Sequence, residues 1–209
     1  MKNTYSKIEE LANAISHGIG ALFGIVALYL MVSISTDDNH KLISSIIYGG
    51  SIILLFTAST FYHSLKSDSL RSKLKTLDHV AIYILISGTY TPYMLISLAN
   101  NNGINYLTSI WIFALLGVCF KLFLGHKYQK LSLASYIGMG WFIVIAGNEM
   151  SQSVSQEGIK FLVIGGLTYT LGAVFYAWKS LKFNHAIWHC FVLGGAFFHF
   201  WSIYWYVLQ

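Results

Sequence analysis

Residues 185–207 read HAIWHCFVLGGAFFHFWSIYWYV, 23 residues without a single Asp, Glu, Lys or Arg. At 1.5 Å per residue, a helix of that length crosses the roughly 30 Å hydrocarbon core of a bilayer. The run opens on His185 and His189, four residues apart, which puts both on one face of the helix. An ionisable residue at the edge of a lipid-embedded segment is costly to keep there and points to function. Two more such edges occur in the chain: His63 closes one apolar segment and Asp78, in LDHVAIY, opens another.

The rest of the chain has the same character. Its 209 residues are 56% hydrophobic and only 10% charged, where a soluble domain carries roughly 25% charged residues. Seven segments are long and apolar enough to span: 15–35, 42–63, 79–98, 104–124, 131–149, 158–178 and 185–207. The fold expected is therefore an all-α integral membrane protein, a seven-transmembrane helix bundle forming one domain over 15–209. Residues 1–14 form a cytoplasmic or interfacial segment, with 4–14 as a short interfacial helix. That segment is largely polar and includes Glu9 and Glu10, so no secretory leader is expected there and the first span serves as its own insertion signal.

The net charge of +5 does not indicate nucleic acid, because the charges sit in short loops between apolar spans and report topology. Lys2, Lys7, Lys66, Arg71, Lys73, Lys75, Lys121, Lys127, Lys130, Lys179 and Lys182 all fall on one side. Only Lys41 and Lys160 fall on the other, beside Asp37, Asp38, Glu149 and Glu157. The positive-inside rule then expects a cytoplasmic N-terminus and an external C-terminus. In that topology His63, Asp78, His185 and His189 share one depth, in the cytoplasmic half of the bilayer.

Three neutral imidazoles make the ligand set of an open, catalytic-type zinc site, with a fourth position left for water. Zinc lowers the pKa of such a water towards about 7. Asp78 is placed to orient the water or accept its proton; the bland alternative is a helix cap. Ser59, one turn before His63 on the same face, is placed to hydrogen-bond the water or a substrate carbonyl; its bland alternative is helix packing. His79 points about 100° away from Asp78 and is not expected to ligate. His199 lies roughly 15 Å deeper than His189, too far for the same ion. Glu10, Asn13 and His17 share one helical face; a buried polar network is favoured over an outer layer to the histidines or a substrate entrance. His126 is expected in a loop and His40 on the outer side.

Other features read as packing. Gly20 and Gly24, and the pairs Gly49-Gly50, Gly165-Gly166 and Gly194-Gly195, suit close helix approach. Pro92 should kink the third span. Cys119 and Cys190, both in apolar segments, are expected as small core residues without a disulfide. The last Trp and Tyr residues suit an aromatic belt at the outer interface.

The stretches EELANAISHGIG (9–20), STFYHS (59–64), LDHVAIYILISGTYTPY (77–93) and FYAWKSLKFNHAIWHCFVLGGAFFHF (175–200) together resemble the bacterial hemolysin III family, within the progestin and adipoQ receptor (adiponectin receptor-like) superfamily. The resemblance runs over essentially the whole chain. It implies a seven-helix bundle with an intramembrane zinc, ligands at His63, His185 and His189, and the family's serine and aspartate at Ser59 and Asp78. Through the wider group of membrane hydrolases, which includes alkaline ceramidases, it also implies hydrolysis of a lipid or acyl amide, with a membrane lipid as substrate. A non-enzymatic membrane-homeostasis or sensor protein with a structural zinc, and a cytolysin, are the alternatives.

Overall fold

A computed structural model describes residues 5–65, 67–124 and 127–209. Lys2, Lys66 and His126 lie outside the described residues. The elements are α1 (Lys7–Ser33), α2 (Asn39–Ser64), α3 (Asp68–Pro92), α4 (Gly103–Phe123), α5 (Gln129–Gly140), α6 (Gly147–Ser153), α7 (Gln156–Ala177) and α8 (Asn184–Ile203). Among the described residues there is no strand, and seven helical segments are long and apolar enough to cross a membrane. α5 and α6, joined by a 3₁₀ turn over Phe142–Ala146, make up the fifth.

α1 corrects one expectation. Residues 7–14 are not a separate interfacial helix but the first turns of an unbroken helix reaching Ser33. A capping box starts it: the Ser6 hydroxyl accepts from the Glu9 amide at 3.2 Å, and the Glu9 carboxylate accepts from the Ser6 amide at 2.9 Å. No Gly or Pro follows until Gly18, so nothing interrupts the helix where the hydropathy changes. α3 likewise begins at Asp68, ten residues before Asp78. Asp78 therefore stands in mid-helix, which removes the cap reading.

Small residues set the helix spacing. A Cβ on Gly20 would come within 2.3 Å of the Phe56 ring, and one on Gly24 within 2.8 Å of Ile52, so α1 packs directly on α2. In the glycine pairs one member carries the contact: Gly49 against Leu28, Gly165 against His199 and Gly195 against Tyr169. The two cysteines correct another expectation, for both are exposed free thiols. In a bilayer the outward face of a helix is as apolar as its core, so an apolar sequence context does not report burial.

Two breaks in regular helix matter for the interior. Pro92 ends the α-helical part of the third span, and Tyr93–Ser97 continue as a π turn. Between α5 and α6, Tyr90 serves the freed backbone. Its hydroxyl faces the Met139 and Gly140 carbonyls at 3.0 and 2.9 Å and accepts from the Ile143 amide at 2.8 Å. A backbone break inside a membrane is tolerated only where such partners exist. Trp141 follows at once, its indole donating to Thr170 at 3.0 Å. The break leaves an apolar cavity of about 120 Å³ between α3, α5, α7 and α8, with His17 and Asp78 in its wall. A second, of about 250 Å³, continues past it towards Met150 and Ile159.

Candidate metal centre

α2 ends where α8 begins, so His63 meets His185 and His189 at one end of the bundle. All three are buried, and one ring nitrogen from each lies within 4.8 Å of the others. Nε2 of His63 and Nε2 of His185 are 3.2 Å apart. Nδ1 of His63 and of His189 are already committed elsewhere. Nδ1 of His63 is 2.6 Å from Oε2 of Glu10, which as a carboxylate accepts. Nδ1 of His189 is 3.2 Å from the Asn13 carbonyl and 3.2 Å from Oγ of Ser16. Ser16 donates its own proton to that carbonyl at 2.9 Å, so it too accepts from the ring. Both imidazoles thus carry their proton on Nδ1 and turn a bare Nε2 lone pair inward. Nε2 of His189 is buried with no partner in the protein.

This is the arrangement of metal-ligating histidines, whose second nitrogen is held by a carboxylate or a carbonyl. The buried triad could hold a metal ion, and the donor set fits. His63 and His189 turn lone pairs to the centre and His185 brings a third ring nitrogen beside them, so one cation can be held by all three. Unsatisfied polar atoms also concentrate here. Of eight buried side-chain N and O atoms without a partner among the described residues, six belong to Asn13, His17, Ser59, His185 and His189. Each such atom costs about 1–3 kcal/mol when nothing joins it.

The first turns of α1 form the outer layer. Glu10 bridges His63 and Arg71, whose guanidinium donates to Oε1. Arg71 itself is buried, with its guanidinium carbon 5.3 Å from the centroid of the Tyr62 ring. Glu9, the neighbouring residue, accepts from the Phe183 amide at 3.0 Å. Phe183 has φ 58°, a left-handed conformation costly for a bulky side chain, and it immediately precedes α8. Consecutive glutamates therefore hold His63 and the start of the helix that bears His185. Tyr5, just before α1, stacks on His185 with centroids 5.1 Å apart, and burial pushes its phenol well above its ordinary pKa. Tyr5 thus stays neutral.

The other candidates fall as follows. Asp78 is buried, lines the first cavity, and is within interaction range of Ser59 and His63. Ser59 is buried with its hydroxyl unpartnered. His79 turns away to the Lys75 carbonyl at 2.6 Å, and His199 bonds the Leu162 carbonyl at 3.1 Å, so neither joins the triad. Glu10, Asn13 and His17 do share a buried face. Glu10 and Asn13 form the outer layer of the triad, while His17 stacks on His189 with centroids 3.5 Å apart. Arg71 and Tyr5 were not legible as site residues: Arg71 reads as one of several loop charges, and Tyr5 lies in a polar segment.

Fold and site together define a polytopic membrane protein with a buried three-histidine site capable of holding a metal at one end of its helix bundle. The chain matches the Haemolysin-III related family over residues 5–200 and belongs to that family. It is 41% identical to Hemolysin-3 of Bacillus cereus, covering 96% of this chain and 92% of that one. It is 40% identical to the Hemolysin-3 homolog of Bacillus subtilis (strain 168), covering 96% and 95%. The human monocyte to macrophage differentiation factor is 30% identical, with 96% and 85% covered.

Proposed function

We propose that this protein binds Zn²⁺ through His63, His185 and His189 and hydrolyses a lipid or acyl amide that reaches it from the cytoplasmic leaflet of a bacterial cytoplasmic membrane. The observation that carries the reading is the convergence of the triad beside the Asp78-lined apolar cavity. Imidazole is a ligand suited to zinc, and three protein ligands are the number found in catalytic zinc sites. Zinc bound there supplies Lewis acidity towards a carbonyl oxygen and towards water. The chain's own groups supply the rest. Glu10 and the Asn13 carbonyl hold two imidazoles by their Nδ1 protons. Asp78 accepts a proton on a carboxylate oxygen, and the Ser59 hydroxyl donates to a substrate oxygen. The cavity receives an acyl chain and keeps bulk water away from the reacting end.

One observation favours a second reading, in which zinc is a brace. The ligands come from α2 and α8, and their outer partners come from α1, so an ion there ties three helices together. The test is to measure zinc content together with fatty-acid release from a panel of ceramides and other acyl amides, using purified protein in lipid. Zinc-dependent release supports the hydrolase. Bound zinc that raises thermal stability without release from any substrate supports the brace. Haemoglobin release from erythrocytes by the same preparation tests lysis, the activity the name of the Bacillus cereus relative suggests.

A further inference from the structure

The mechanism above does not use His199, yet it is the other buried imidazole with an unsatisfied nitrogen in the wall of the cavity. His199 is 9% exposed. Its Nε2 lies 3.1 Å from the Leu162 carbonyl, which can only accept, so the ring proton is on Nε2. Nδ1 is then a bare acceptor, and it is buried with no partner. The ring is firmly seated. A Cβ on Gly165 would come within 2.2 Å of it, and Tyr169 packs against it with centroids 5.4 Å apart.

Its position is as informative as its chemistry. The two cavities share a wall made of Thr89, Gly140, Trp141, Gly166 and His199. The polar side chains around that junction bond within the protein: Thr89 to Leu85, Thr170 to Gly166, and Trp141 to Thr170. An unused acceptor on a residue of that shared wall is expensive in an otherwise apolar region that takes only a plain hydrocarbon. It is favourable for a chain that brings a donor to it.

We propose that His199 forms a second recognition point, which selects a long-chain lipid bearing a hydroxyl partway along its acyl chain. The ligand's polar head sits at the Asp78 and His17 end, its chain fills the cavity, and its hydroxyl donates to Nδ1 of His199. Ten residues of helix separate His189 from His199, so the hydroxyl lies about 15 Å from the triad. The inference rests on the reading that the cavity receives an acyl chain.

The test is equilibrium binding to purified protein in phosphatidylcholine nanodiscs, read by displacement of a fluorescent stearate. Stearate is compared with monohydroxystearates in which the hydroxyl is walked along the chain. A mid-chain isomer should bind about 3–10-fold tighter than stearate, the scale of one buried hydrogen bond. His199→Phe should erase that preference, so that every hydroxystearate binds the variant no tighter than stearate does, and Gly165→Ala, which crowds the ring, should weaken it. A flat wild-type profile along the chain overturns the proposal without needing any variant, and so does a preference that survives His199→Phe. If stearate and every isomer fail to bind, the acyl-chain reading of the cavity falls as well. Flat but measurable binding removes only the role of His199.

Discussion

Oε2 of Glu10 lies 2.6 Å from Nδ1 of His63, a contact across 53 residues of sequence that fixes which nitrogen of His63 faces the triad. The carboxylate holds the proton on Nδ1 and increases the basicity of Nε2, while Arg71 balances its charge. Glu10→Gln keeps an acceptor but loses the charge, and should lower zinc affinity about 10-fold. Glu10→Ala removes both and should lower it by up to about 100-fold, the range seen when such outer partners are lost. Competition with a chelating dye at fixed pH measures this. Unchanged affinity in both variants would remove Glu10 from the site.

The triad itself predicts about one Zn²⁺ per chain at neutral pH, as expected for a single three-histidine site. His63→Ala and His189→Ala should each lower the metal content sharply. Acidification should release the ion, because protons compete for the same imidazole nitrogens, and restoring neutral pH with added zinc should reload it. Metal analysis of gel-filtered protein across a pH series reads all of these outcomes. A doubly substituted protein that still holds its zinc would eliminate the proposed ligand set.

The sequence makes the spans and the triad legible because both depend on strong local signals. A charge-free run of helical length has few other uses, and His185 and His189 share a face by spacing alone. What connects them is less legible. Arg71 looks like a topology charge because nothing nearby in sequence shows that it turns inward to Glu10 on another helix. The fifth span reads as one apolar run, yet it breaks at Trp141–Ala146 because Tyr90 of α3 is there to satisfy the freed backbone. Cys119 and Cys190 fail for a related reason: periodicity of hydropathy, which separates core from surface in water, has no such meaning in lipid.

Helix spacing near the site predicts a stability difference. Gly20→Ala would put a Cβ 2.3 Å from the ring of Phe56, which is fully buried and has no room to move. The cost should be about 1–3 kcal/mol, as for other overpacked cores. Gly138→Ala in α5 meets nothing within 4 Å and should be neutral or stabilising by up to about 1 kcal/mol, since alanine is the better helix former. Thermal melts in detergent compare the two. Equal melts would show that α1 is not packed on α2 as described.

Asp78→Asn separates catalyst from brace. The substitution preserves shape and removes a proton acceptor from a buried position in the cavity wall. If Asp78 acts as general base, turnover should fall by about 10²–10⁴-fold. Zinc should stay bound, because the triad keeps all three nitrogens and the outer partners on Glu10 and Asn13 are untouched. If the ion only braces α1, α2 and α8, the same variant should change thermal stability and leave no chemistry to lose. Fatty-acid release and zinc content, measured on one preparation, distinguish these outcomes. Equal release by wild type and Asp78→Asn would rule out the assigned role even if the protein proves to be a hydrolase, and the proton acceptor would then have to be sought first at His17, both of whose ring nitrogens are buried without a partner beside the triad.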